Sequence, residues 1–416
     1  MAVRRVVDLY KQAFSGIGRD AWLLSLIALI NRAGTMVFPF LTLYLTKQEH
    51  FTTGQASMLL LVFGAGSLTG SYLGGLASTR WGSLSVLTFS LLTSGIFFMV
   101  FPIFHGFYVL LVACYIMGVT ADAFRPAVMS AIALYSRPES QARAFALLRL
   151  ACNLGMGIGP AVGGFLAARD YSLIFRVDGL TCMFAGLLVP FLFKARLSAA
   201  AKRKERDESR ERPKVQPLRD TPFMFLMLMV FGFAFVIFQF MGAYPLFLNQ
   251  HYGLPEQNIG LLFGMNALIL TLFEMVAVHK LETSNPLTLF GVGTFLACIG
   301  FAMLPLGTHF GFALICITVF TMGEMLSLPF SNTLVALRAG KNSGAYMGVY
   351  SAVFSLAIMI GPPLGLYFME AWGPKLFWFS QGLLGLLVWI GSMFLNRISD
   401  FAHPKKQVEG NEPEVV

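Results

Sequence analysis

The sequence predicts an all-α membrane protein in which twelve spanning helices form two similar bundles of six. Three observations support this fold class. The 416-residue chain is 56% hydrophobic and only 12% charged, whereas about a quarter of the residues of a soluble domain are charged. It contains twelve apolar runs of about 20 residues, the length that crosses a bilayer. A charged stretch, Lys194 to Asp220, divides these runs into two sets of six.

The twelve runs follow one another with short connections. They are Ala21–Leu45, Gln55–Ala77, Leu84–Phe104, Tyr108–Tyr135, Ala142–Ala167, Leu173–Phe193, Pro222–Phe247, Asn258–Val278, Leu287–Leu304, Gly311–Ala336, Ala345–Met369 and Leu376–Leu395. We therefore expect an N-terminal segment at residues 1–20, a first bundle at 21–193, a linker at 194–220, a second bundle at 221–395 and a tail at 396–416. The alanine and charge content of the linker permits either disorder or a short amphipathic helix.

The distribution of Lys and Arg predicts the orientation, because cytoplasmic connections carry an excess of both. Basic residues outnumber acidic ones in the linker. The even number of spans places both termini on the linker side, where most of the remaining basic residues also fall. The opposite side has only Lys47, Arg169 and Lys375. We expect both termini in the cytoplasm, a bacterial inner membrane location and no cleavable signal peptide.

Composition and motifs disfavour several other classes of protein. The net charge is +9. The basic residues that produce it lie in short connections rather than on one face of a helix, so they do not predict nucleic-acid binding. The five cysteines lie in apolar runs without metal-ligand spacing. Phosphate-loop, HExxH, GxSxG and CxxC motifs do not occur in the sequence. We therefore expect neither an enzyme nor a cofactor or metal, and an ion or substrate gradient as the energy source.

The two halves of the chain repeat two patterns. A glycine-proline motif in the fifth run has a counterpart in the eleventh, and an acid precedes a proline by about one turn in both the fourth and the tenth runs. The first pair of motifs comprises Gly155, Gly159, Pro160, Gly163 and Gly164 in the fifth run, and Gly361, Pro362 and Gly365 in the eleventh. The second pair is Asp122 with Pro126 and Glu324 with Pro329. Duplicated six-span halves are typical of alternating-access transporters.

On these residues the chain resembles the major facilitator superfamily, and in particular its twelve-helix drug:proton antiporter branch. The motif GxxxGPxxGG in the fifth run carries most of the resemblance. The loop after the second run resembles the family's loop signature at Gly75, Arg80 and Gly82 but departs from it at Thr79 and Ser83. Arg125 resembles the fourth-helix arginine of the same branch, without the glutamine and glycine that usually follow.

Six ionisable side chains lie inside the predicted spans, on the cytoplasmic side of the membrane centre. Such groups are costly unless they face protein or water, so each is a functional candidate. From a rise of about 1.5 Å per residue, Arg32 lies roughly 16 Å from the inner surface, and Asp122 and Glu324 lie about 21 Å from the outer one. The six are Arg32, Asp122, Arg125, Arg149, Glu274 and Glu324.

The signs of these charges allow two interpretations. The first half contributes Arg32, Arg125 and Arg149 against one acid, whereas the second half contributes only acids. The charges can pair across the interface and hold the cytoplasmic side shut, or they can surround a polar substrate and exchange protons with it. Because arginine stays charged in proteins, the proton carrier is expected to be Asp122, Glu274 or Glu324, with the arginines as charge partners.

The family resemblance implies that the first, fourth, seventh and tenth helices line a central cavity. The residues that it places toward the cavity are Asn31, Arg32, Asp122, Arg125, Gln239, Tyr244 and Glu324, with Tyr72, Asn266 and Glu274 on adjoining gate helices. Structural alternatives stand beside these assignments. Asp122 and Arg125 can form an intrahelical pair, Arg176 and Asp178 can reach the outer interface, and the glycine motif is at base a packing device.

The predicted activity is proton-coupled export of small amphipathic or drug-like molecules by a monomer in contact with membrane lipids. The alternative within transport is uptake or exchange of a charged or zwitterionic metabolite such as a peptide. A non-transporting receptor is a remote alternative from another class.

Overall fold

The computed structural model describes residues 16–136, 140–203, 217–281, 283–339 and 343–398. Within these ranges the chain is helical, without β-strands, and forms twelve spans that are long and apolar enough to cross a membrane. The predicted fold class is confirmed. Residues 1–15 of the predicted N-terminal segment, 204–216 of the linker and 399–416 of the tail lie outside the described residues.

The helices of the first half build the first six spans. They are Arg19–Gly34 with Val37–Leu43, Thr53–Trp81, Ser83–Val100, Phe107–Asp122 with Phe124–Tyr135, Gln141–Ala167 and Tyr171–Arg203. The helices of the second half build the other six. They are Thr221–Gln239 with Ala243–Tyr252, Glu256–Leu281, Pro286–Ala302, Phe310–Ala339, Ser343–Trp372 and Pro374–Ile398. The sixth helix continues into the predicted linker after a kink at Phe193.

We call the side on which the linker begins and ends the linker side, and the opposite side the far side. Three spans are interrupted between the two sides, although the sequence predicts continuous runs. The fourth span lacks one helical hydrogen bond at Ala123, because Pro126 has no N–H to donate to the carbonyl of Asp122, four residues earlier. The backbone of Ala123 keeps helical dihedral angles, and we call this point the fourth-span break. The corresponding Pro329 leaves the tenth span helical throughout. The first and seventh spans break near their middles.

The fifth span lies between the first and eighth spans, and its glycines allow close approach to both. On one face, a Cβ at Gly155 would lie 2.6 Å from the Cβ of Arg32, and a Cβ at Gly159 would lie 2.7 Å from the carbonyl oxygen of Thr35. Such distances exclude any side chain larger than hydrogen. The motif therefore packs against the backbone on both sides of the first-span break.

The opposite face of the same helix carries contacts between the two halves. A Cβ at Gly164 would lie 3.0 Å from the Cα of Gly260 in the eighth span, and Gly157 packs against Ala267. Without a hydrophobic driving force between helices in lipid, small residues that permit close packing stabilise their association. The glycine motif thus joins one half of the protein to the other.

The eleventh span repeats this arrangement against the seventh. A Cβ at Gly242, in the seventh-span break, would lie 2.7 Å from the Cβ of Pro362, and Gly365 packs against the side chain of Gln239. Each glycine-proline motif therefore contacts the break of a neighbouring span. The internal repeat found in the sequence corresponds to a repeat in packing.

A cluster of hydrogen bonds on the linker side connects three elements of the second half. Arg338 donates to both carboxylate oxygens of Asp220 at 2.8 Å, and Tyr346 donates to the same carboxylate at 3.0 Å. Asp220 also caps the seventh-span helix by accepting from the N–H of Phe223 at 3.3 Å. Burial disfavours the charged carboxylate, but the hydrogen bonds from Arg338 and Tyr346 outweigh it and hold the pKa of Asp220 below its ordinary value of 3.8.

We expect Asp220→Asn to lower the melting temperature of the purified protein, because charge-assisted bonds of this kind contribute about 1–2 kcal/mol when partly screened. A lowered carboxyl pKa stabilises the folded state above the unfolded value and is lost only as pH falls through the folded value. The deficit should therefore be equal at pH 6 and pH 8. A deficit that vanished within this range would contradict this assignment. So would an equal deficit in Glu370→Gln, which alters an exposed carboxylate near the end of the eleventh span.

Candidate functional site

Arg149 and Glu274 form an ion pair across the interface between the two halves. Arg149 belongs to the fifth span and Glu274 to the eighth, and the side chain of Glu274 is 13% exposed. Asn153, one turn after Arg149, donates to the other carboxylate oxygen of Glu274 at 3.3 Å. Two of the six predicted charges therefore neutralise each other. This contact pairs charges between the halves, which is one part of the first interpretation of the signs.

Glu324 lies close to this pair but has a neutral partner. Its carboxylate, half-buried in the tenth span, accepts from Nδ2 of Asn266 in the eighth span at 2.9 Å. Asn266 also donates to Thr321 at 2.9 Å. Arg149 and Glu274 are within electrostatic range of Glu324. No ion pair among the described side chains includes Glu324.

Asp122 and Arg125 are on opposite sides of the fourth-span break and have different environments. Asp122 accepts a hydrogen bond from Ser67 of the second span. Arg125 is exposed, and the described ion pairs do not include one between these two residues. The structure therefore does not place them in the intrahelical pair that their spacing allows.

Arg32 connects the first span to the fourth. Its guanidinium lies over the ring of Phe124, with the Cζ atom 5.3 Å from the ring centroid. Phe124 is the first residue of the helix that follows the fourth-span break. Stacking on an aromatic face suits the planar guanidinium. Arg32 is thus held beside the segment that carries Asp122.

Several predicted wall residues have their polar groups inside a bundle. Asn31 donates to Cys182 of the sixth span at 3.3 Å, and Gln239 donates to the carbonyl of Gly361 at 2.8 Å. Tyr244 is fully buried among aromatic rings that include Phe301. Tyr72, by contrast, is 69% exposed on the linker-side half of the second span. Asn31, Gln239 and Tyr244 have packing roles in this conformation, whereas Asn266 and Glu324 lie together near the interface.

Asp178 is a polar residue that the sequence places incorrectly. Its position suggests a side chain that reaches the outer membrane surface, yet it is 3% exposed and lies inside the first half. Its Oδ2 atom accepts from the backbone N–H groups of Met36 at 3.1 Å and Val37 at 3.3 Å. Arg176, two residues earlier, is exposed as expected. The presence of an acid in an apolar run indicates a buried polar contact, but the sequence does not show that its partners are the backbone N–H groups of the first-span break.

The far side is closed by polar contacts that the sequence does not predict. Nζ of Lys47, after the first span, lies 2.6 Å from a carboxylate oxygen of Glu256 at the start of the eighth span. Tyr171 donates to the same carboxylate at 2.8 Å. Between the second and eleventh spans, Ser57 donates to the carbonyl of Pro363 at 2.6 Å. Each contact joins the first half to the second. Together with the Arg149–Glu274 pair, these contacts show that the two halves touch from the far side down to the level of that pair.

This geometry defines a class: a duplicated membrane bundle with buried charges at the interface of its halves. The family model described as Major Facilitator Superfamily matches residues 22–347. The chain therefore belongs to the major facilitator superfamily, as the glycine motif predicts, and is a multi-pass membrane transporter of that family.

Three relatives illustrate which proteins are similar to this chain in sequence. "Uncharacterized MFS-type transporter YqjV" of Bacillus subtilis (strain 168) is 22% identical over 358 residues, covering 85% of this chain and 87% of the relative. The "Na(+), Li(+), K(+)/H(+) antiporter" of Planococcus maritimus is 23% identical over 82% of this chain and 88% of its own length. "Multidrug resistance protein MdtH" of Shigella sonnei (strain Ss046) is 24% identical, covering 76% and 79% respectively.

Solved structures agree on the fold. A peptide transporter POT in complex with sulfate superposes with a TM-score of 0.75 at 14% identity, covering 92% of this chain and 95% of that structure. A bacterial homologue of the human lysosomal transporter Spinster, inward-facing and occupied, gives a TM-score of 0.70 at 15% identity, covering 91% and 96%. At these identities the likeness concerns architecture alone.

We expect Arg149→Gln and Glu274→Gln each to lower the melting temperature, because each leaves one charge at the interface without its partner. The double variant should be more stable than the two separate losses predict, with a coupling of about 1–3 kcal/mol between the two positions. Thermal unfolding of the four proteins in detergent measures this coupling. Strictly additive losses would show that the pair does not join the halves in solution.

Proposed function

We propose that this protein is a proton-coupled exporter of small amphipathic or drug-like molecules in a bacterial inner membrane. The observation that carries the proposal is the contrast between two neighbouring carboxylates at the interface, Glu274 paired with Arg149 and Glu324 bonded only to the neutral amide of Asn266. The same site contains a charge fixed in a pair and a charge free to be neutralised.

Glu324 is the proton carrier in this proposal. Its partner Asn266 donates one hydrogen bond, so Glu324 can take up a proton without breaking an ion pair. Glu274 would have to give up Arg149, which leaves an uncompensated charge at considerable cost. Asp122 has Ser67 as its partner and lies on the other half. It is the second choice, and Arg32 and Arg125 are the charges that influence it.

The proposed orientation follows from the basic residues of the linker side, which we assign to the cytoplasm. The closed far side, held by Lys47 and Glu256, then faces outward. In this proposal the conformation is an inward-facing one, and a compound from the cytoplasm or the inner leaflet reaches the site near Glu324 from the linker side. Rocking of the halves would separate Lys47 from Glu256 and expose the same site to the outside.

Coupling in this scheme rests on competition for Glu324. A cationic amphipathic compound that approaches from the cytoplasm favours the ionised carboxylate, and its binding releases the proton. On the outside, where the proton gradient favours protonation, neutralisation of Glu324 weakens the attraction and releases the compound. The relatives named as a multidrug resistance protein and a cation/H(+) antiporter support this class of exchange.

A second candidate is uptake or exchange of a zwitterion such as a peptide. The supporting observation is the sign of the charges that remain when Arg149 and Glu274 are set aside. Arg32 and Arg125 exceed Asp122 on the first half, while Glu324 stands alone on the second. Walls of opposite sign suit a molecule with separated charges.

The three carboxylate variants should separate the proton carrier from the others in proteoliposomes with an imposed pH gradient. We expect Glu324→Gln to reduce gradient-driven transport of ethidium at least tenfold, to weaken ethidium binding and to remove the pH dependence of that binding. Asp122→Asn and Glu274→Gln should retain a pH-dependent component. Asp170→Asn, which alters an exposed carboxylate, serves as the control. Full pH-dependent coupling in Glu324→Gln would refute the assignment.

The same vesicles test the alternatives. Proton-driven uptake of dialanine without ethidium transport would favour the zwitterion carrier. Retained binding without flux of either probe would favour a receptor.

A further inference from the structure

The first-span break leaves two backbone donors that the helix itself cannot satisfy. The helix Arg19–Gly34 ends there, and the N–H of Thr35 bonds back to the carbonyl of Arg32 at 3.1 Å. The next two N–H groups, of Met36 and Val37, point to the sixth span. Both residues are buried, and a buried donor without a partner is costly.

Asp178 supplies the missing acceptor for both donors. One carboxylate oxygen, Oδ2, accepts from Met36 at 3.1 Å and from Val37 at 3.3 Å. The other oxygen faces the thiol of Cys182 at 3.6 Å, and that thiol accepts from Asn31 at 3.3 Å. The break is therefore enclosed by a chain of polar contacts from the sixth span to the last helical turn of the first.

In the second half of the protein, the backbone donors at the seventh-span break are satisfied without a carboxylate. In the seventh-span break the N–H groups of Phe240, Met241 and Gly242 bond to carbonyls three residues earlier, at 3.0–3.2 Å. Gln381 is the eighth residue of the twelfth-span helix, as Asp178 is of the sixth, but it bonds within its own helix. Asp178 is thus a specific feature of the first half rather than a requirement of the repeat.

The break controls the position of a charge at the proposed site. Arg32 lies two residues before Gly34, where the helix ends, and its carbonyl accepts the bond from Thr35. It is close enough to Asp178 to interact electrostatically, and its guanidinium lies over Phe124 beside the fourth-span break. A shift in the backbone at the break would move Arg32 relative to Asp122 and Glu324.

We propose that Asp178 is a positioning residue of the transporter: its carboxylate holds the first-span break in place and through it sets the position of Arg32. The support of the first-span break by Asp178 stands on geometry alone. The positioning of Arg32 rests on the proposed function, since it gives Arg32 a role in substrate or proton binding. Asp178 itself contacts neither the substrate site nor Glu324.

Hydrogen exchange tests, without any substrate, whether Asp178 holds the first-span break. In nanodiscs, the amides of Met36 and Val37 should exchange roughly tenfold faster or more in Asp178→Ala than in the wild type, as expected when two buried hydrogen bonds are lost. Asp178→Asn keeps a carbonyl oxygen at the same place and should restore most of the protection. Asp170→Asn alters an exposed carboxylate at the start of the same helix but keeps an oxygen that can accept from Ser172, and it should leave these amides unchanged.

Ethidium transport by the same variants tests whether Asp178 sets the position of Arg32 for transport. We expect Asp178→Ala to raise KM severalfold with a smaller change in kcat, Asp178→Asn to recover KM, and Arg32→Gln to add little when combined with Asp178→Ala. Unchanged exchange in Asp178→Ala would overturn the proposal whatever the transport result. Faster exchange with normal KM would reduce Asp178 to a packing residue. Absence of ethidium transport in the wild type would count against the proposed function, while the exchange result would still decide whether Asp178 holds the break.

Discussion

The close approach of the fifth span to two neighbours is the contact on which the rest of the structure depends. Its glycines leave no space for a side chain against the first span on one face or the eighth span on the other. In a membrane, helices associate through packing and hydrogen bonds rather than through exclusion of water. A helix that packs this tightly on both faces joins the two halves and fixes the height at which their charges meet. The Arg149–Glu274 pair lies on this interface because both helices are held there.

The same packing explains where the broken spans occur. The fifth-span motif lies against the first-span break, and the eleventh-span motif lies against the seventh-span break. A break frees backbone groups that lipid cannot satisfy, so it must be surrounded by protein. In the first half Asp178 provides the partner, and in the second half the backbone provides its own. The two halves therefore share an architecture but differ in the polar groups that support it.

In the proposed function, the charges near the interface divide into those that stabilise a conformation and one that changes its protonation state. Lys47 with Glu256, and Arg149 with Glu274, connect the halves and must separate or rearrange when the halves move. Glu324 has only a neutral partner. A transporter of this family needs both kinds of group, since alternating access requires contacts that open and close around a site that binds. Their proximity links the proposed proton site to the movement of the halves.

The sequence by itself determined the twelve spans, the duplication, the family and which charged residues lie inside the spans. These follow from length, apolarity and local spacing, because lipid imposes a fixed thickness and penalises every exposed charge. Partners across the interface could not be predicted. Glu274 and Glu324 look alike in the sequence, yet one meets an arginine and the other an amide, and Asp178 turns inward to a break 142 residues away. Only the tertiary structure decides such pairings, since they depend on the rotation of each helix about its axis and on where backbone groups are left unbonded.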